Sequence, residues 1–265
     1  MVGSVPPWIK VSAVVIIGTI ALFMLIPLAV VVSSSLSASE FLVFPPQGLS
    51  IRWYSEVVKS EAYLSAGWIS LKLALITVAI SLFIGTGAAI ALTLFSFPGG
   101  QLLSAIFVSP LILPSLIFAI GLLMVFSTYA DGPSFTGLVV GHVVITIPYV
   151  IRTVSASLAD MDSNLDEASR MMGARWWQRY WLVILPQCKT GMATGAFFVF
   201  NISFDDAVVA LFMRAPDIET LPMRIYSTLE FSPDPSVAAV STIMIGITMM
   251  LILIMNRLFG LSRII

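Results

Sequence analysis

Charged residues, prolines and glycines punctuate this chain into six apolar segments, 11–32, 67–94, 102–126, 136–154, 191–213 and 236–256. Each is long enough to cross the hydrocarbon core of a bilayer, which takes about 20 residues of helix. Backbone amides that meet lipid must be bonded within their own segment, so all six are expected to be helical. The pattern predicts an all-α, polytopic membrane protein with six transmembrane helices, a single domain over residues 1–265. An even number of crossings puts both termini on one side.

The first segment could imitate a secretory signal, since Lys10 precedes it and Ser33 to Ser39 follow. Length argues against that reading. Val11 to Val32 is uncharged and at about 1.5 Å per residue spans a bilayer, whereas the apolar part of a signal peptide is typically about 7–15 residues. With the termini in the cytoplasm, the inner loops hold Lys10, Arg152, Arg170, Arg175, Arg179, Lys189, Arg257 and Arg263, and the outer ones only Arg52, Lys59, Arg214 and Arg224. The excess of cations inside favours that orientation for a multi-pass membrane protein. Lys72 lies inside the second segment, where its stem can snorkel to the outer interface.

Composition adds weight to the pattern and excludes other classes. The chain is 58% hydrophobic and 10% charged with a mean hydropathy of +1.02, far from the roughly 25% charged residues of soluble domains. A net charge of −1 gives no basic surface for nucleic acid, and the lone Cys188 forms no internal disulfide. No Cys/His/Asp/Glu spacing suggests a metal, and no nucleophile motif marks a catalytic residue.

Against this background the cytoplasmic stretch 155–190 stands out as polar. Asn164 can cap a helix whose first turn holds Asp166 and Glu167, and Leu165, Ala168, Met171 and Met172 recur at helical spacing. Gly173 permits a sharp turn. A second amphipathic run from Ala174 to Leu185 carries Trp176, Trp177, Tyr180 and Trp181, to pack on neighbouring helices or lie at the lipid interface, and Pro186 is expected to stop it. Elsewhere, Ser33 to Ser65 is a long outer connection with room for a short interfacial helix. Phe97-Pro98-Gly99-Gly100 reads as a tight inner reversal, and Pro110 and Pro114 predict a kink or unwinding in the third segment.

The spacing Glu167-Ala168-Ser169, three residues, Gly173, nine residues, Val183, one residue, Leu185-Pro186 resembles the EAA loop of permease subunits of type I ABC importers. Ser169 replaces the third small residue of that pattern and Val183 its isoleucine. Likeness extends along the chain and is strongest to the spermidine/putrescine type. It is carried by Gly85-Thr86-Gly87-Ala88-Ala89, Leu113-Pro114, Gly121-Leu122-Leu123, His142 with Ile147-Pro148-Tyr149-Val150-Ile151-Arg152, Ser203-Phe204-Asp205-Asp206-Ala207-Val208-Val209, and Leu221-Pro222 with Ile225-Tyr226. Ser115 departs from it, where many relatives carry an acid.

The resemblance implies a MetI-like permease fold and a coupling helix that docks in a groove of the ATP-hydrolysing subunit. Glu167 would make the ionic contact, with Ala168 and Ser169 completing the motif. Gly173 would make the turn, and Met171, Met172 and Ala174 would fill the groove. Partners would be a second permease subunit or a copy of this chain, two ATPase subunits, an extracytoplasmic solute-binding protein and the lipid bilayer. No cofactor would be bound by this chain; ATP and Mg belong to the ATPase, consistent with the lack of a GxxxxGK[ST] phosphate loop.

Asp205 and Asp206 lie in the fifth segment, where an ionised aspartate costs about 2.5–3.5 kcal/mol on insertion scales unless it meets a cavity or a partner. Adjacent helical residues point apart, so one acid is expected to line a path and the other to bond to a helix end or neighbouring helix. The functional reading is attraction of a small cationic solute such as a polyamine, with Asn201, Phe204 and Tyr149 shaping the passage. The competing reading is a polar bracket between helices. Other cargoes in the same machine, an opine, an amino acid derivative or a phosphonate, stay open, as does an ATP-independent secondary transporter, although no inverted repeat is visible. His142 is expected to be a packed, hydrogen-bonded core residue.

Overall fold

The computed structural model describes residues 6–161 and 163–259. Among them thirteen α-helices, one 3-10 turn and one π-helical stretch occur and no β-strand, leaving a single isolated bridge between Ala215 and Ile218. Arg263, counted above among the inner cations, lies outside the described residues.

The first and second apolar segments belong to α1 (Pro7–Ser35) and α3 (Glu61–Leu94), the fourth to α6 (Phe135–Ala159) and the sixth to α13 (Ser236–Phe259). These four are long and apolar enough to span a membrane. The third and fifth segments are broken. Gly100–Leu111, made of α4 (Gly100–Val108) and the 3-10 turn Ser109–Leu111, meets α5 (Ser115–Tyr129) at 102°. Pro114 sits at the N-cap of α5 with extended ψ, and its ring disfavours helix at Leu113, so the kink expected from the prolines is a full break. Counting each bent pair as one span gives six crossings.

The chain forms two compact units, Met1–Glu61 with Ser227–Ile247 and Ala62–Tyr226 with Thr248–Ile265. In the first, α1 leads into a loop closed by Ala38–Gln47 and Leu36–Ser50 backbone bonds. The interfacial helix expected there is α2 (Arg52–Lys59), which buries Trp53 and Val57. Trp53 Nε1 donates to the Ser37 carbonyl, and Tyr54 bonds to Ser35 at 2.7 Å, fixing α2 to the end of α1.

In the second unit α6 is the central element, with 61% of its apolar window buried against 44% for that of α3. One apolar cluster joins Leu73, Ala119, Leu138, Val143, Val209 and Met213. A second joins Ile90, Val150, Val154, Ile184, Cys188 and Val199. The helices approach closely where side chains vanish. A Cβ on Gly85 of α3 would lie 2.7 Å from Val150, and one on Gly191 of α10 (Lys189–Asp205) would overlap the Thr153 carbonyl. Gly191 and Gly195 are spaced as in the small-xxx-small pattern of membrane helix pairs.

Between these contacts runs a buried polar ladder. His142 Nδ1 lies 2.9 Å from Ser203 Oγ, Ser203 Oγ reaches Thr77 at 3.4 Å, and Thr146 pairs with Ser81 at 2.9 Å. His142 is therefore a packed core residue, fully buried. Lys72 Nζ rests 5.1 Å from the Phe135 ring centre at the start of α6.

Candidate functional site

Two places combine polar chemistry with exposure: the loop after α6 and the break in the fifth segment. The loop opens with α7 (Ser163–Met171). Asn164 lies within this first turn instead of before it, so it does not stand at the cap position expected of it. Asp166 accepts from Arg170 Nε at 3.2 Å and, across thirteen residues of chain, from Arg179 Nε at 2.8 Å and Nη2 at 2.7 Å.

Helix α7 ends in a Schellman turn. Ala174 N–H donates to the Ser169 carbonyl and Gly173 N–H to that of Arg170, with Gly173 at φ +79°. Nothing lies within 4 Å of a Cβ built on Gly173, so the demand for glycine there is conformational and not steric. Ser169 is buried, its hydroxyl donating to the Asp166 carbonyl. Glu167 and Ala168 are exposed, Met171 and Met172 are 90% and 82% exposed, and Ala174 is half-buried. The two methionines form an open apolar tip.

The second arm is not one amphipathic helix. It consists of α8 (Trp176–Arg179), the π-helical Tyr180–Ile184 and α9 (Leu185–Gln187). Pro186 continues the last turn instead of stopping it. It has no N–H for the Leu182 carbonyl and its ring would clash there, and the wider π turn just before it accommodates both defects. Helix α10 then leaves at 64°. Tyr180 and Ile184 pack into the second apolar cluster, whereas Trp176 and Trp181 remain exposed.

The fifth segment breaks at its acids. Helix α10 ends at Asp205, and Asp206 has extended ψ. Both Asp206 carboxylate oxygens approach Val209 N–H, at 3.1 and 3.3 Å, so Asp206, one residue before the N-cap position Ala207, satisfies a first-turn amide of the short α11 (Val208–Phe212). Asp205 is exposed and has no hydrogen bond or ion pair among the described residues.

The other three candidates separate. Phe204 is buried and stacks on Phe200 at 5.3 Å, so it packs the helix bundle and does not face a passage here. Asn201 lies partly exposed, its amide donating to the Phe197 carbonyl. Tyr149 of α6 meets Phe198 with ring centres 6.1 Å apart. Phe198, Asn201 and Asp205 follow at helical spacing on one accessible face. Phe198 was not singled out from the sequence, although counting seven back from Asp205 reaches it. Beyond α11, Glu219 bridges Arg214 and Arg224 at 3.8 and 3.5 Å.

Long apolar helices, two of the apolar runs broken, with a polar helix-turn-helix between the fourth and fifth, match the layout expected of a MetI-like permease. The chain belongs to the family of binding-protein-dependent transport system inner membrane components, which its residues 81–262 match. It is thus the permease of an ABC importer, a multi-pass protein of the inner membrane that works with ATPase subunits and a binding protein, and the secondary transporter falls away.

Among curated relatives, it is 29% identical over 231 residues to the spermidine/putrescine transport system permease protein PotC of Escherichia coli strain K12, covering 87% of each chain. It is also 29% identical to the putrescine transport system permease protein PotI of the same strain, covering 84% of this chain and 82% of that one. The probable sulfate transport system permease protein cysT of Chlorokybus atmophyticus is 25% identical over 78% of each. Among solved structures, the chain resembles a bacterial ABC transporter that imports the acidic polysaccharide alginate. The TM-score is 0.65 at 18% identity, over 95% of this chain and 96% of that one. An inward-facing MetNI methionine ABC transporter gives 0.63 at 18% identity over 76% and 98%.

Proposed function

We propose that this permease imports a small cationic solute of the polyamine class. The observation that carries the reading is the 29% identity to two polyamine permeases over more than four fifths of the chain. Asp205 supports it as an exposed, unpaired carboxylate that would attract an ammonium group, with Asn201, Phe198 and Tyr149 beside the route. Asp206 serves the path indirectly by holding the break that ends α10 beside Asp205. Phe204 acts through packing.

The loop of Glu167, Ala168, Ser169, Met171, Met172, Gly173 and Ala174 is the surface on which an ATPase subunit docks. In the full importer this chain pairs with a second permease subunit, above two ATPase subunits that hold ATP and Mg. Both termini lie in the cytoplasm. A probable sulfate permease is also similar, at a lower 25% identity over 78% of each chain, so cationic and anionic solutes are compared directly. Purified complex with its binding protein in nanodiscs is expected to hydrolyse ATP faster on addition of spermidine or putrescine. Stimulation only by sulfate, phosphonate or amino acid derivatives would sink the cation reading.

A further inference from the structure

The two arms of the coupling loop meet at a turn that has little to stiffen it. Around Gly173 a Cβ would find nothing within 4 Å, and Met171, Met172 and Trp176 are open at the tip. The second arm is seated in the helix bundle through Tyr180 and Ile184. A load applied to α7 can pass inward through the backbone of the Schellman turn, through its packing against α8 and Tyr180–Ile184, and through the side-chain bonds at the base of the arms.

Those bonds are short and sheltered. Arg179 presents a fork to Asp166, Nε to Oδ1 at 2.8 Å and Nη2 to Oδ2 at 2.7 Å, with the two side chains 19% and 16% exposed. Arg170 adds a contact from the solvent side at 3.0 Å, so the carboxylate is held between two cations. A bidentate guanidinium–carboxylate pair fixes direction as well as distance, which a single lysine contact would not.

We propose that Asp166 and Arg179 are positioning residues which lock the two arms of the coupling loop into one rigid body, so that movement of a docked ATPase reaches α10 instead of flexing Gly173. The proposal rests on the coupling reading above. Neither residue touches solute or nucleotide. Asp166 is one residue from the exposed Glu167 that faces the partner, so the chain separates the docking acid from the bracing acid by one step of helix, about 100°.

The test uses the whole importer in nanodiscs and proteoliposomes, with Cys188 replaced by alanine and spin labels on cysteines introduced at Leu165 and Trp177, one on each arm. The parent is expected to give a narrow inter-label distance distribution by pulsed electron resonance. Asp166→Asn and Arg179→Gln are each expected to broaden it and to lower solute imported per ATP hydrolysed by about tenfold. The double variant should be no worse than either single one, and Asp166→Glu should restore part of both readouts. Unchanged width in the single variants overturns the clamp, as does a broadened loop with an unchanged solute-to-ATP ratio. Additive losses in the double variant overturn it as well. If Gly173→Val leaves the ratio intact, the coupling reading fails and takes the proposal with it. That failure is distinct, because the label distances report the clamp without reference to transport.

Discussion

At the scale of single residues, two positions that look alike in sequence do opposite work. Asp205 and Asp206 are adjacent acids in an apolar run, yet one satisfies a first-turn helix amide and the other is unpaired. Removing a side-chain bond to such an amide costs about 0.5–2 kcal/mol at an N-cap. Asp206→Ala is accordingly expected to lower the thermal unfolding midpoint of the purified complex, with Asp206→Ser milder. Asp205→Asn should leave that midpoint in place and weaken stimulation of ATP hydrolysis by polyamine; equal destabilisation by both changes would contradict this division. Gly173 offers a similar contrast. A β-branched residue in the left-handed region costs about 1–2 kcal/mol, and asparagine tolerates it better. Gly173→Val should abolish uptake in membranes that still contain assembled complex, while Gly173→Asn retains a measurable part.

What was legible at this scale follows from the range of each interaction. The need for glycine at 173 shows in the sequence because the turn is local. The Asp166–Arg179 pair does not, since residues thirteen apart meet only once the turn and the π-helical stretch are built. Both acids were legible as costly in a membrane, and one was expected to bond to a helix end; that it is Asp206 depends on the helix having stopped one residue earlier.

Between elements, close packing outweighs hydrogen bonding. Interhelical hydrogen bonds inside membranes average about 0.6 kcal/mol, while overpacking a tight interface costs about 1–3 kcal/mol. Breaking the polar ladder with Ser203→Ala should therefore perturb the fold less than Gly191→Val, which drives a methyl group into the Thr153 carbonyl. Melting of the two variants in the same detergent would show the order; a larger loss for Ser203→Ala would mean the ladder, and not the glycine contact, holds α6 to α10. The six apolar segments were readable because lipid forces long apolar runs, and four of them form unbroken helices long enough to span. The break at Pro114 was readable because proline acts on its own neighbours. The break at Asp206 was hidden, since neither proline nor glycine marks it.

For the molecule in its membrane, the arrangement of charges and the exposure of the loop lead to a topological prediction. The proposed placement of the termini in the cytoplasm requires the loop tip to face inward and α2 outward. The sequence supplies a clean background for labelling, because its one thiol, Cys188, is fully buried. A cysteine at Trp176, 76% exposed beside the loop tip, should stay unreactive to an impermeant maleimide in right-side-out vesicles and react in inverted ones. A cysteine at the exposed Lys59, at the end of α2, should show the reverse. Both sites reacting from the same face would break the count of three crossings between them, which includes the bent span Gly100–Tyr129. Such a result would mean that the 102° turn at Pro114 returns the chain to the side it came from instead of carrying it across.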